Sequence, residues 1–250
     1  MEVLPIPGVG EVADGDSVGA LVSRAASAAG IELGAGDVLV VSHKVVSKAE
    51  GRTRRLGAVE PSDRARELAA RLEKDPRLVQ LILDESRSVI RAERNVLITE
   101  TRAGWICANA GVDASNVPGE DSVVLLPEDA DESARRVRAE VLAEAGAAPA
   151  VVIADSFGRA WRVGQADIAI GCAGLLALDD WRGRTDAGGR ELEATVVAIA
   201  DQTAAAADLV REKDEGVPAA LVRGLGRYVT EADGPGAAQL RRARAEDLFR

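Results

Sequence analysis

Two aspartates in this sequence carry neighbours suited to holding a hard divalent cation: Asp113 in Gly-Val-Asp-Ala-Ser-Asn (111–116) and Asp155 in Ala-Asp-Ser-Phe-Gly-Arg (154–159). Each follows a strand-like segment, and carboxylates fixed at strand ends suit cations that take oxygen ligands. The plainer reading is that each aspartate caps a turn beside Gly or Ser. The second segment adds Arg159 and Arg162 around Trp161, and arginine grips phosphate or carboxylate through a bidentate fork. A surface ion pair explains those arginines equally well. Lys44 and Lys48 flank Val45-Val46-Ser47 beside Ser42 and His43, where lysines at a strand end can reach nucleotide phosphates. The run is neither a P-loop nor a dinucleotide fingerprint, and solvated lysines are the ordinary alternative. Gly8-Val9-Gly10-Glu11-Val12 is a turn-rich opening whose backbone can approach a ligand.

Composition narrows the chemistry. The sole histidine is His43 and the only cysteines are Cys107 and Cys172, too few for a zinc site of imidazoles and thiolates. Both cysteines lie in apolar runs and read as small buried residues. Lys and Arg total 31 against 41 Asp and Glu, a formal net charge of −10 with no long basic block, so nucleic acid is not the expected partner. Aromatic residues make up 2% of the chain, which excludes a base-stacking platform. No apolar run approaches the roughly 18 residues that cross a bilayer. The N-terminus has neither the basic flank nor the apolar stretch of a secretory signal, so no membrane association and a cytoplasmic location are expected.

The elements that must position these residues follow from periodicity and caps. Asp37–Ser42 is a β-branched apolar strand delivering Ser42-His43-Lys44 to its end. Ser17–Ala29, Ser62–Lys74, Pro76–Leu83 and Asp131–Ala145 read as helices, the first two with serine N-caps. Val96–Thr101 and Trp105–Ala108 form a hairpin, and Ala150–Ala154 is a strand ending at Asp155. Asp167–Gly174 is a glycine-rich strand or close backbone approach, Asp179–Arg190 a polar loop, Thr195–Arg211 a long helix, and Pro218–Gly224 a last strand. Strands mix with helices without strict alternation, so the expected class is α+β. No repeat or linker divides residues 1–250, which are read as one domain.

Taken together, residues 40–52 (Val-Val-Ser-His-Lys-Val-Val-Ser-Lys-Ala-Glu-Gly-Arg), 110–116 (Ala-Gly-Val-Asp-Ala-Ser-Asn) and 155–171 (Asp-Ser-Phe-Gly-Arg-Ala-Trp-Arg-Val-Gly-Gln-Ala-Asp-Ile-Ala-Ile-Gly) resemble the coenzyme F420-0:L-glutamate ligase family in order and spacing. The segments Asp186–Leu192, Ala200-Asp201-Gln202 and Pro218–Gly224 extend the resemblance over nearly the whole chain. It implies an unusual α+β fold, commonly an intertwined homodimer with the active site near the subunit interface. It also implies GTP and Mg2+ or Mn2+, with a monovalent cation such as K+ as a further candidate, used to join L-glutamate to the deazaflavin precursor F420-0 and to extend a γ-linked glutamate tail.

Carried over by motif, Asp113, Asp155, Ser156 and Gln202 resemble metal ligands. Val9, Gly10, Glu11, Val12, Ser42, His43, Lys48 and Asn116 resemble guanine-nucleotide contacts. His43 stands where the resemblance leads one to expect Ser or Gln. Asp155, Lys48 and Arg159 are the residues expected to carry catalysis, the two cations by screening the transferred phosphoryl group. The chain stops at Arg250, so the expected form is the one without a C-terminal flavin-binding reductase domain. Two other readings stay open on sequence: a related ligase with a different carboxylate acceptor, and a non-catalytic nucleotide- or deazaflavin-binding module.

Overall fold

The structure is a computed structural model describing residues 1–115, 121–211 and 214–249. It is a mixed α+β arrangement, as the sequence leads one to expect. The central sheet has five strands: β1 (Glu2–Ile6), β2 (Val38–Ser42), β8 (Ala150–Arg159), β9 (Arg162–Ala173) and β12 (Ala219–Arg223), in the order β1-β12-β2-β8-β9. Only β2 and β8 run parallel; the other pairs are antiparallel. Val38–Val41 and Ala150–Ile153 are fully buried, so both faces of this central pair are covered.

The cover comes from three helices. α1 (Val18–Ala28) packs on α5 (Ala130–Ala145), which lies on β8 and β9. α6 (Ile199–Asp208) also lies on β8 and β9 but packs on neither α1 nor α5, which places it on the opposite face. Ser17 caps α1 by accepting the Ala20 N–H at 3.3 Å, and Ser62 caps α3 (Asp63–Leu72) through the Ala65 N–H at 3.3 Å, as their positions in sequence predict. α4 (Pro76–Asp84) opens with proline behind an Asp75 cap.

A second apolar cluster gathers Leu56, Leu72, Ile82, Leu97, Val112 and Leu125 under α3 and α4. Its strands are β4 (Ser86–Glu93), β5 (Val96–Thr101) and β6 (Ile106–Ala108), in one antiparallel sheet, beside the pair β3 (Thr53–Arg55) and β7 (Ser122–Val124). Arg52 ties this cluster to the start of α5: its guanidinium meets Leu126 O at 3.0 Å, Glu85 at 2.7 Å and Glu128 at 3.1 Å, on the wall of a cavity of about 230 Å³. β10 (Leu178–Asp180) and β11 (Val196–Ala198) pair outside the main sheet.

Two elements differ in extent from the sequence reading, and two more lie in stretches to which it gave no element. β8 does not end at Asp155 but continues five residues beyond Ala154 into a hairpin with β9. The expected helix from Thr195 begins only at Ile199, because Val196–Ala198 are taken up by strand pairing with β10. Residues 43–49, left without an element in the sequence reading, form a short helix, α2 (His43–Ala49), in spite of the β-branched Val45 and Val46. Leu4-Pro5 sits in an edge strand, the position in a sheet that tolerates proline.

Gly171 marks the close approach anticipated for the 167–174 run. A Cβ there would stand 2.1 Å from the Ala130 carbonyl oxygen, and the neighbour is helix backbone, which gives little. Beside it the Asp131 carboxylate accepts the N–H groups of Cys172 at 2.9 Å, Ala237 at 2.6 Å and Ala238 at 3.1 Å, clamping α5, β9 and the C-terminal segment together. Gly171→Ala is therefore expected to cost about 1–3 kcal/mol, read as a lower urea midpoint with an unchanged slope; an unmoved midpoint contradicts this packing.

Candidate active site

The parallel register of the central pair sets Ser42 level with Ala154, so the next residues, His43 and Asp155, emerge side by side. Their side chains meet: His43 Nε2 stands 3.2 Å from Asp155 Oδ1. The Ser42 Oγ accepts the Lys44 N–H at 3.4 Å as the N-cap of α2, which turns the chain at this point. Lys44 then reaches the other aspartate, with Nζ 2.8 Å from Asp113 Oδ2 and 2.6 Å from Ser115 Oγ. Two successive residues in the first turn of α2 thus contact Asp155 and Asp113, one each.

Asp113 is held by more than Lys44. Its backbone exchanges two hydrogen bonds with Val124, N–H to O at 3.0 Å and back at 2.8 Å, and its Oδ1 accepts the Ser115 N–H at 2.7 Å. Burial opposes ionisation of this carboxyl, but the hydrogen bonds from Lys44 and Ser115 and the lysine charge outweigh it and hold the pKa below the ordinary value. A lowered carboxyl pKa stabilises the fold above the unfolded-state value and loses that contribution as the pH falls through the folded-state value. At neutral pH Asp113 is ionised.

One turn along α2, Lys48 Nζ lies 3.5 Å from Glu11 Oε2. This brings the 9–12 loop to the same helix: Val9 and Val12 are buried anchors, Gly10 and Glu11 are exposed between them, and Gly8 and Gly10 adopt φ of 79° and 78°, which the turn requires. Val9 to Val12, Ser42, His43, Lys48, Asp113 and Asp155, singled out in separate stretches of sequence, therefore lie around one short helix.

The remaining predicted residues are placed otherwise. Ser156 follows Asp155 within β8, and strand alternation sends its side chain to the opposite face. There its Oγ donates to Asp167 Oδ1 at 2.6 Å, and Asp167 in turn pairs with buried Arg211, whose pKa burial pulls down to about 10. Gln202 is exposed on α6; its neighbour Asp201 is partly buried, accepts the Ala169 N–H at 3.0 Å and has its pKa raised by burial. Arg159 belongs to the exposed tip of the β8–β9 hairpin, where its guanidinium donates to Val163 O at 2.7 Å, about 13 Å along the strand from Asp155. Asn116 lies outside the described residues. Lys44, noted in sequence beside Lys48 but given no role by the family resemblance, is brought to Asp113 by the first turn of α2.

The donor set suits a hard divalent cation that shares its coordination with phosphate. Among the described residues no three of His, Cys, Asp and Glu converge on one point. Mg2+ is commonly held by one or two carboxylates with the rest of its shell from water and phosphates. Within the site, His43 Nε2 is a buried polar atom without an aligned hydrogen-bond partner, and it sits directly behind the Asp155 carboxylate.

Comparison with known proteins places the chain in a family. The family model for F420-0:gamma-glutamyl ligase matches residues 8–224. The chain belongs to this family. The coenzyme F420:L-glutamate ligase of Methanopyrus kandleri is 43% identical over 252 residues, covering 100% of this chain and 98% of that protein. The one from Haloarcula marismortui is 45% identical over 257 residues, covering 100% and 96%, and the one from Halorubrum lacusprofundi 46% over 230 residues, covering 89% and 87%. The candidate residues from Val9 to Gln202 all fall within the matched stretch.

Both cysteines are buried beside this framework. Burial pushes the Cys107 thiol up to about 12, with the Asp155 charge adding to it, and burial with Asp131 does the same for Cys172. At pH 8 about one such thiol in 10,000 is ionised, so both are expected to resist a disulfide reagent in the native protein and to react once it is denatured. Rapid labelling of the native protein contradicts this burial.

Proposed function

We propose that this protein is a GTP- and divalent-metal-dependent ligase that joins L-glutamate to coenzyme F420-0 and then extends a γ-linked glutamate tail. The names of the relatives support glutamate ligation to F420. The observation that carries the reading is the convergence at α2: His43 on Asp155, Lys44 on Asp113 and Lys48 on the 9–12 loop.

Amide formation from a carboxylate needs a better leaving group than oxide. An oxygen of the acceptor carboxylate attacks the γ-phosphorus of GTP, GDP leaves, and an acyl phosphate forms. The glutamate amine attacks the acyl carbon, phosphate departs with the bonding pair, and the amine loses a proton. Such transfers are governed by positioning and charge neutralisation, and need no protein nucleophile. Mg2+ or Mn2+, held by Asp113 and Asp155, supplies charge neutralisation at the phosphate oxygens when bound. Lys44 and Lys48 bring two cations to the same helix face and screen the transferred group, and the loop from Val9 to Val12 lies against the nucleotide. The net charge of −10 is no obstacle, because bound cations together with local lysines can reverse the potential inside a site. The protein works as a homodimer in this reading, which the exposed apolar side chains of Trp161 and Val163 at the hairpin tip support.

Purified protein incubated with F420-0, L-glutamate, GTP and Mg2+ or Mn2+ is expected to give glutamyl mass increments on the deazaflavin together with GDP. Increments that appear without GTP or metal, or none from a folded protein that binds GTP, overturn the proposal. Asp155→Asn is expected to keep the fold and lose most metal-dependent turnover, and wild-type turnover in a folded variant contradicts its role. Lys44→Ala is expected to slow turnover by about 100-fold, read as kcat in steady-state kinetics.

A further inference from the structure

His43 is the only histidine of the chain and is 1% exposed, so its ring has no face to offer a nucleotide, the contact the family resemblance implies for it. Both ring nitrogens instead face protein. Nδ1 lies 3.4 Å from Ser47 Oγ one helical turn on, and Nε2 lies 3.2 Å from Asp155 Oδ1. The second contact has the distance of a hydrogen bond without the alignment, which leaves Nε2 an orphaned polar atom in the interior. Such an atom is costly to bury, and its place against a functional carboxylate calls for an explanation.

The partners decide the tautomer. An ionised carboxylate accepts only, so a lone pair on Nε2 would face negative charge; the proton belongs on Nε2, and Nδ1 accepts from the Ser47 hydroxyl. Asp155 Oδ1 also accepts the Ser156 N–H at 2.8 Å, and among the described residues nothing donates to Oδ2. The two oxygens are thus unequal, one turned toward protein donors and the other away from them.

We infer that His43 is a positioning residue for Asp155. Its Nε2–H holds Oδ1 and comes into line when the carboxylate turns to present Oδ2 to a divalent cation. Ser47 keeps the proton on the nitrogen that faces the aspartate. Partners behind a metal ligand orient it in this way, and their loss typically weakens metal binding by about 10- to 100-fold. The inference rests on the reading of Asp155 as a metal ligand, and goes beyond it by giving the buried imidazole a task distinct from touching nucleotide.

A chain with one histidine allows a direct test. Long-range 1H–15N correlation spectra of the full-length protein are expected to show the proton on Nε2, and the Nε2–H signal is expected to move on adding Mg2+. A proton on Nδ1, or no response to Mg2+, overturns the inference. Mn2+ affinity, followed by the electron paramagnetic resonance of free Mn2+, is expected to fall about 10- to 100-fold in His43→Leu and to recover in His43→Gln, whose amide N–H can donate to the same oxygen. Asp155→Asn run alongside separates two kinds of failure. Unchanged Mn2+ affinity in Asp155→Asn removes the metal reading together with the role of His43; affinity lost there but retained in His43→Leu overturns the positioning role alone. If His43→Leu does not fold, the spectra of the wild-type protein still decide.

Discussion

The parallel contact between β2 and β8 is the constraint on which the site depends. A parallel pair fixes not only which strands are neighbours but how far along each the chain leaves the sheet. With Ser42 opposite Ala154, both strands carry their next residue past the same level, and His43 and Asp155 face each other across one strand spacing. A slip of one residue would turn Asp155 to the other face and separate the pair. The apolar faces above and below Val38–Val41 and Ala150–Ile153 hold that register in place, because every alternative exposes a buried side chain.

The rest of the architecture follows from what the two strands do after they part. β2 stops, because Ser42 caps a helix, and α2 turns Lys44 and Lys48 outward toward Asp113 and the 9–12 loop. β8 instead continues into β9, and its alternation divides the hairpin into two faces of different chemistry. Asp155 belongs to the face that meets His43, whereas Ser156 joins the buried Asp167–Arg211 pair on the other. On the first face, nothing among the described residues donates to Asp155 Oδ2; the second carries a polar network that ties β8 to β9 and to the segment after α6. Adjacent residues in sequence thereby acquire different tasks.

Charge follows the same logic. The protein is acidic overall, yet lysines from α2 accompany the acidic groups of the site. Asp113 remains ionised despite its burial because Lys44 and the Ser115 N–H point at it. Away from the site, buried and partly buried charges are engaged in holding elements together, as Asp131 does for three backbone N–H groups and Arg52 for the two apolar clusters.

Much of this was legible in the residues alone. Caps and periodicity located α1, α3, α4 and α5 and the buried strands to within a few residues, since serine before an amphipathic run and unbroken β-branched runs express local physics. The segments bearing Asp113, Asp155, His43 and the 9–12 loop were likewise distinct in sequence, because polar groups beside glycine at the ends of apolar strands are few. Only the tertiary structure decided how they combine. Local pattern was silent on the helix of residues 43–49, which the Ser42 cap begins; it ended β8 at Asp155, although pairing with β9 extends it; and the family resemblance set Ser156 beside Asp155, although a pleated strand sends neighbours to opposite faces. Local pattern named Lys44 and Lys48 alike, because reach is invisible in a sequence. Residue type is a property of the chain, whereas register, strand length and the direction of a side chain are set by partners distant in it.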